Sequence, residues 1–527
     1  MYKKLLASRI SKTSLAIAAI AALSTNKVSA QMTLSGQVRP RFEARDGFAN
    51  LTAEPTSPAS FISQRTRLTF GYKWDRLTFG VTAQDVRVWG QDASTITPAD
   101  GSRLMLHEGW GEITLANKAD TTIKFKLFDA LSLKVGRQEL IYDDSRLIGN
   151  LDWLQQGRRF DMALLKVVHH GWQVDLGYAY NQNAEGFSGT MYTPGNISPT
   201  VTTDKGVSVT TPAGIVPLAP GGLATTNSAA GGTPVFASPA NSNGGSANYK
   251  NFTSVYVSKK FNQTKVALLF FKDEFGKYTT GVRSVDIDND GLSEGNVYYR
   301  QYNQKGTNDR FTFGGMINHV LGNASGFGKI ALQGAYYQQL GEDREGRDLK
   351  AFHYNAQAMY SKGKITVGPG VDFLSGNKLT TPGTESKRFD PLYGTPHKFW
   401  GYMDFFYAPT GSPAAGLMDY YFKTKYTANE YSITADFHRF DADHTPVTGV
   451  SSKHFAHELD LVASYTLNKF TTVDLGYSHA WATDNLARTK LFNYSAATSY
   501  DKSPDFVYLM INIKPDFLYT KPVAIKQ

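Results

Sequence analysis

The chain has no cysteine, which excludes disulfides, thiolate catalysis and cysteine-bound metals. It has no run of about eighteen apolar residues, so no segment is built to cross a bilayer as a helix. Ser478–His479 are strand neighbours whose side chains point apart, so this pair does not make the nucleophile and base of a barrel lipase or protease. His169 and His170 are likewise adjacent and point to opposite faces, while His454 and His457 lie near Glu458 without a full ligand set. A strong charge excess is also missing. Five basic residues (Lys3, Lys4, Arg9, Lys12, Lys27) precede Gln31 with no acid among them, which leaves +4 of the formal +9 and implies no nucleic-acid partner.

The basic cluster is followed by the apolar stretch Leu15–Leu23 and by Val28-Ser29-Ala30, the pattern of a signal peptide over 1–30 with the mature chain starting at Gln31. Aromatics make up 13% of the residues, a β-rich composition. From Met32 onward the period is two. In Met32–Arg45, Leu34, Val38 and Phe42 share one parity, and Gln37, Arg39, Arg41, Glu43 and Arg45 the other. Leu68, Phe70, Tyr72 and Trp74 oppose Arg65, Arg67 and Lys73, and the alternation recurs as far as residue 481. The strands run about ten residues, the length of a tilted membrane strand, and carry aromatics near their ends. Of about nineteen candidates, the weakest being Lys398–Tyr407, an even number is expected.

The predicted fold is therefore all-β: a transmembrane antiparallel β-barrel of about 18 strands, one domain over 31–527 in a Gram-negative outer membrane, its outer face against lipid. Tight turns at Trp74–Arg76, His169–Gly171, Lys362–Lys364 and Thr427–Glu430 alternate with long extracellular loops. The longest, 183–249, is rich in Ser, Thr, Gly, Pro and Asn and reads as a flexible loop. The last strand is read within Asp505–Leu518, with Pro515 ending it and a tail beyond. No strand is flat and apolar enough to assign an oligomer flank.

Three constellations carry chemistry. Arg39, Arg41, Arg65 and Arg67 fall on the polar, lumen-facing parity, where guanidinium forks attract carboxylates, unless acids such as Glu43 use them to stiffen the barrel. Asp286, Asp288 and Asp290 with Gly291 begin an oxygen-ligand loop for Ca²⁺, to which Glu294 would add, although the twelfth position is Val297. The third is Gly136–Val167, in which Arg137, Arg146, Arg158 and Arg159 crowd against Asp144, Asp152 and Asp161 around Trp153.

The third stretch resembles the alginate export family of outer-membrane barrels, in which a strand ending Gly-Arg-Gln is followed by an acid, Arg-Leu-x-Gly, a Trp and Arg-x-Asp. Gly136, Arg137, Gln138, Asp144, Arg146, Leu147, Gly149, Trp153, Arg159 and Asp161 match, and Phe389–Phe406, Phe455–Leu467 and Gly476–Thr483 look similar. The resemblance implies a lumen lined by arginine and lysine, with acids between them, that passes a polyanionic polysaccharide. Residues Ile141–Gly157 are too long and apolar for a turn and would fold inward to constrict the pore, with the arginines facing solute and the acids pairing with them. Arg137 shares the parity of Leu131, Leu133 and Val135, so a bulge at Gly136 would turn it inward or it sits at the rim. The expected function is a non-enzymatic porin or channel for an anionic, carboxylated poly- or oligosaccharide. A non-conducting adhesin barrel and a general porin are the alternatives.

Overall fold

In the computed structural model, residues 31–518 are described except 91–103, 121–122, 182–198, 212–214, 218–222, 226–233, 237–248, 303–305, 392, 407–412, 492–493 and 496. The signal segment and the 519–527 tail lie outside the described residues. Eighteen long strands form the wall: β1 (Gln31–Arg45), β2 (Ala59–Trp74), β3 (Leu77–Val88), β4 (Met105–Asn117), β5 (Ala130–Gln138), β6 (Phe160–His169), β7 (Trp172–Tyr180), β8 (Asn251–Phe261), β9 (Thr264–Gly276), β10 (Thr307–Asn323), β11 (Gly328–Glu342), β12 (Asp348–Lys362), β13 (Ile365–Leu374), β14 (Leu417–Ala428), β15 (Tyr431–Asp441), β16 (His454–Asn468), β17 (Thr471–Ala482) and β18 (Asp505–Ile513). Each pairs antiparallel with the next, and β1 closes on β18 through Val38↔Ile513 and Phe42↔Leu509. The two-residue strand Glu385–Ser386 attaches parallel to β12. Beyond Ile513 the chain continues along β1, where the Gly36 amide donates to the Pro515 carbonyl and that of Phe517 to Leu34. Closure of this kind leaves the sheet without a free edge strand, which a hydrocarbon surround requires.

The alternation behaves as the parity predicts. Val38, Phe42, Leu68, Leu268 and Ile433 are exposed on the outside, while Arg39, Arg41, Glu43 and Arg65 are buried on the inside. Trp74, Trp172, Phe261, Tyr426 and Tyr431 form an exposed aromatic belt beside the short turns. At one of these turns both His170 and Gly171 have positive φ, the type I′ geometry that suits a two-residue hairpin. Inward faces are not polar all round. β6 turns Phe160, Met162 and Leu164 inward, and β9 turns Leu269 and Phe271, so apolar side chains line that arc on both surfaces.

Those inward apolar residues have a partner inside the barrel. Residues 139–159, between β5 and β6, and the described part of 375–416, between β13 and β14, fold inward and bury Leu147, Ile148, Phe389, Tyr393, Trp400, Met403 and Phe406 against the wall. The candidate strand Lys398–Tyr407 is corrected here: up to Phe406 it belongs to the second of these segments, with a 3₁₀ turn at Pro396–Lys398, and Phe399, Trp400, Met403, Phe405 and Phe406 are core rather than wall, while Tyr407 lies outside the described residues. The two segments join through a parallel bridge between Ile148 and Tyr393. Gly394 lies so close to the Arg146 carbonyl that a side chain there has no room.

The long loops also hold structure that composition concealed. Within 183–249, Thr200–Thr202 pairs with Ser208–Thr210, and Val216–Pro217 pairs with Gly295–Gln301 of the next long loop. Gly295–Gln301 pairs in turn with Thr279–Val285, and Val201, Val209, Ile215 and Val297 form a small separate core. A seven-residue helix, α1 (Asp484–Lys490), is N-capped by Thr483 in the loop before β18.

The outward position of Leu268 near mid-strand generates a prediction. Leu268→Arg lowers folding stability in lipid vesicles by about 2–4 kcal/mol. Unchanged denaturant midpoints for this variant would contradict the assignment of that face to lipid.

Candidate functional site

Register creates an electrostatic problem on the inner wall. Arg39 of β1 lies directly opposite Arg65 of β2, and both are buried, Arg65 to 1% exposure. Like charges facing across a ladder repel, and burial deprives both of water. Asp152 answers it: its Oδ2 accepts from Arg39 Nη1 at 3.1 Å and its Oδ1 from Arg65 Nη2 at 2.7 Å. Burial alone would push the Asp152 carboxyl up, but Arg39 and Arg65 draw it down to about 2. Backbone carbonyls take the remaining donors. Arg39 Nη2 reaches Asp152 O at 2.7 Å and Arg41 Nη1 reaches Trp153 O at 2.7 Å. Gln155 accepts from Arg39 and donates back to the Ser63 hydroxyl at 3.1 Å. Glu43 is shared by Arg41 and Arg45. Arg67 bonds Gln84 at 2.6 Å and His107 at 2.9 Å, with Glu139 at 3.6 Å.

The same segment reaches the far wall. Arg146 pairs with Asp372 of β13, donates from Nε to Asp144 at 3.3 Å and lies 4.0 Å over the Phe399 ring. Asp144 also accepts from Gln333 of β11 at 2.9 Å. Arg158 donates to the carbonyls of Gly149, Tyr393 and Gly394, which ties the two inward segments together. Trp153 stands where they meet. Arg41 is 3.8 Å from its ring centroid and His397 stacks 3.8 Å away, so both indole faces are occupied, and Tyr402 stacks beyond His397 at 4.8 Å. Burial, aided by Arg41, holds His397 well below the ordinary histidine range, and burial holds its partner Asp404 well above the usual carboxylate range. The two groups meet at 2.7 Å between His397 Nδ1 and Asp404 Oδ1. Asp143, Ser145 and Leu151 have positive φ, a strain of order 1 kcal/mol each that surrounding contacts sustain.

Two residues proposed from the sequence lie elsewhere. Arg137 and Asp161 form a two-pronged pair at 2.8 and 2.7 Å, but on the outward parity of β5 and β6 at the long-loop end. Pairing at Gly136 is regular, so no bulge turns Arg137 inward, and neither residue lines the lumen. Gly136 has φ 124°, and a Cβ there would strike the Gly109 carbonyl, which accounts for glycine at this position. Arg159 is half-buried beside Met105.

The resemblance implies lysines in the lumen but singles out none of them. Lys166, Lys265 and Lys423 point inward in the strand halves nearer the short turns and pair with Glu112 at 2.6 Å, Asp143 at 2.8 Å and Asp436 at 2.8 Å. Lys166 and Lys265 are 35% and 39% exposed, more than their acids, whereas Asp152 is 50% exposed and its arginines are buried. A single lysine at inward parity close to a tight turn was the available signal. Asp286, Asp288, Asp290 and Glu294 converge, with ligand oxygens within 4.8 Å, at the tip of the external hairpin, where they could hold a hard cation well away from the constriction.

Comparison with known proteins agrees with this architecture. Residues 30–180 match the family model described as alginate export. Three Pseudomonas aeruginosa structures share the fold along 92% of this chain. OccK5 (OpdH) is 10% identical with 98% of its chain covered and a TM-score of 0.51. OccK11 (OpdR) is 10% identical with 96% covered and a TM-score of 0.50. The outer membrane protein OpdK is 9% identical with 99% covered and a TM-score of 0.51. No curated protein matches the sequence.

The Asp152 clamp makes a pH prediction. A carboxyl depressed from about 3.9 in the unfolded chain contributes stability that is whole above that value and is lost as pH falls towards about 2. Single-channel conductance is therefore expected to stay level from neutral pH down to about 4 and to change below it. Asp152→Asn should show the altered conductance already at neutral pH; a wild-type trace in that variant counts against the clamp.

Proposed function

We propose that this outer-membrane β-barrel, whose residues 30–180 carry the alginate export signature, is a channel for an anionic solute, a carboxylated oligosaccharide of alginate-like chemistry. The observation that carries the reading is the order of exposure along the lumen. At Lys166, Lys265 and Lys423 the cation stands nearer to water than the acid it pairs with. A passing carboxylate meets those lysines first. At the constriction the exposed group is instead Asp152, backed by two buried arginines. Alternation of this kind suits conduction, because attraction must be sufficient for a polyanion to enter and weak enough for it to leave. Buried Arg39, Arg41 and Arg65 act in this reading by holding the inward segment in place, and the solute-contacting cations are the lysines with Arg67 and Arg159.

A second reading, a non-conducting barrel, draws on the apolar core that the two inward segments build within the lumen. Planar-bilayer recording separates the two. The wild type is expected to conduct with anion preference and to be blocked by uronate oligomers more strongly than by neutral ones. The combined Lys166→Gln, Lys265→Gln and Lys423→Gln variant should lose anion preference severalfold in reversal potentials. An unchanged ratio in that variant would remove the lysines from the pathway.

A further inference from the structure

The second inward segment meets the wall through two neighbouring acids. Glu458 and Asp460 lie two residues apart on β16, so both point into the barrel, and they are 0% and 1% exposed. Each takes one backbone amide of the segment. Met403 N donates to Glu458 Oε1 at 2.8 Å, and Tyr402 N donates to Asp460 Oδ2 at 3.2 Å. Gly401, with φ 77°, lies so close to the Glu458 carboxyl that a side chain there has no room. These contacts fix the turn from which Trp400, Met403, Phe405 and Phe406 enter the core.

What the two acids lack is a cation. Among the described residues, the one basic group within ion-pair distance of either is His438 Nε2 of β15, 3.8 Å from Asp460 Oδ2. The Nδ1 of that ring is already bonded to Asp419 of β14 at 2.9 Å. Other charged neighbours are acids or are engaged elsewhere. Asp436 of β15 faces Asp460 and is paired with Lys423 of β14 at 2.8 Å. Asp404 of the inward segment faces Glu458 and is bonded to His397. Arg41 and Arg45 of β1 are taken by Glu43. The phenols of Tyr402 and of Tyr508 on β18, with the Ser478 hydroxyl of β17, complete the surround.

Two carboxylates side by side, sealed from water and ringed by further acids, cannot both stay ionised. The two side chains lie within hydrogen-bonding reach of each other, and Glu458 Oε2 and Asp460 Oδ1 have no donor among the described residues. One proton held between them removes both faults. It makes one carboxyl a donor to the other, and it leaves a single negative charge, which His438 stands ready to answer.

We infer that Glu458 and Asp460 share one proton and act as a pH-operated latch, which holds the second inward segment against β16 while the proton is bound and releases it when hydroxide removes the proton as water. The docked segment needs the proton, and a pair opened to water does not, so docking weakens as pH rises. The latch governs how far the lumen stands open, whatever solute passes it.

Two measurements on the full-length barrel test this, with Glu458→Gln and the double variant Glu458→Gln/Asp460→Asn, whose amides keep the shape of the acids. In infrared difference spectra at neutral pH, the wild type is expected to show a protonated-carboxyl C=O band that the double variant lacks. A difference made of ionised carboxylate bands alone overturns the shared proton. In planar bilayers, wild-type conductance is expected to increase between about pH 7 and about pH 10, where buried carboxyls of this kind titrate. Both variants should lose that increase. An increase that persists in them belongs to His438 or another group and overturns the latch, as does a wild type whose conductance is level or absent across the range. Anion preference without a pH response rejects the latch and leaves the channel reading intact.

Discussion

One carboxylate between two arginines organises the interior. Strand register sets Arg39 against Arg65 on a wall sealed from water, and neither can move without breaking the ladder. The counter-charge has to come from elsewhere in the chain, and Asp152 brings it on a segment that begins four strands away. Once Asp152 is docked, the carbonyls of residues 152 and 153 complete the arginine donors, and Trp153 is carried against the inner face of β1 and β18, 5.1 Å from the Tyr508 ring. There its faces gather Arg41 and His397, and with His397 comes the second inward segment.

A barrel of eighteen strands encloses more space than its own side chains can fill. This chain uses two loops to divide it. Their apolar residues complete a core against β6 to β9 and against β15 and β16, while their polar residues are spent on the walls at Arg39, Arg65, Asp372 and Glu458. The segment 139–159 is anchored at both sides, through Asp152 to β1 and β2 and through Arg146 to β13, so it spans the lumen as a brace. The result separates two populations of cations. Arg39, Arg41, Arg65, Arg146 and Arg158 are enclosed, while Lys166, Lys265 and Lys423 stand nearer to water than the acids they pair with.

Much of this was legible in the linear chain. The parity of Leu68, Phe70 and Tyr72 against Arg65 and Arg67 placed each on the correct surface, and the length and apolarity of 141–157 pointed to an inward loop. Other features were not legible. Lys398–Tyr407 has the aromatic content of a membrane strand, and only its burial among lumen residues distinguishes it. The hairpins inside 183–249 are stabilised by a neighbour from another loop, which composition cannot report. Arg137 matched the expected motif while its parity pointed outward, and parity prevailed, because a regular ladder leaves a side chain no choice of face.

The sequence by itself determined which surface each strand residue occupies, where the wall turns, and that charge of both signs would crowd residues 137–161, because a period of two is a local consequence of strand geometry. The tertiary structure alone decided which cation meets which acid. Asp152 finds Arg39 and Arg65, Arg146 finds Asp372, and Lys265 finds Asp143 across large gaps in the chain. Such pairings depend on where a loop crosses an enclosed lumen, and that path is set by barrel closure and by the volume that the wall leaves to be filled.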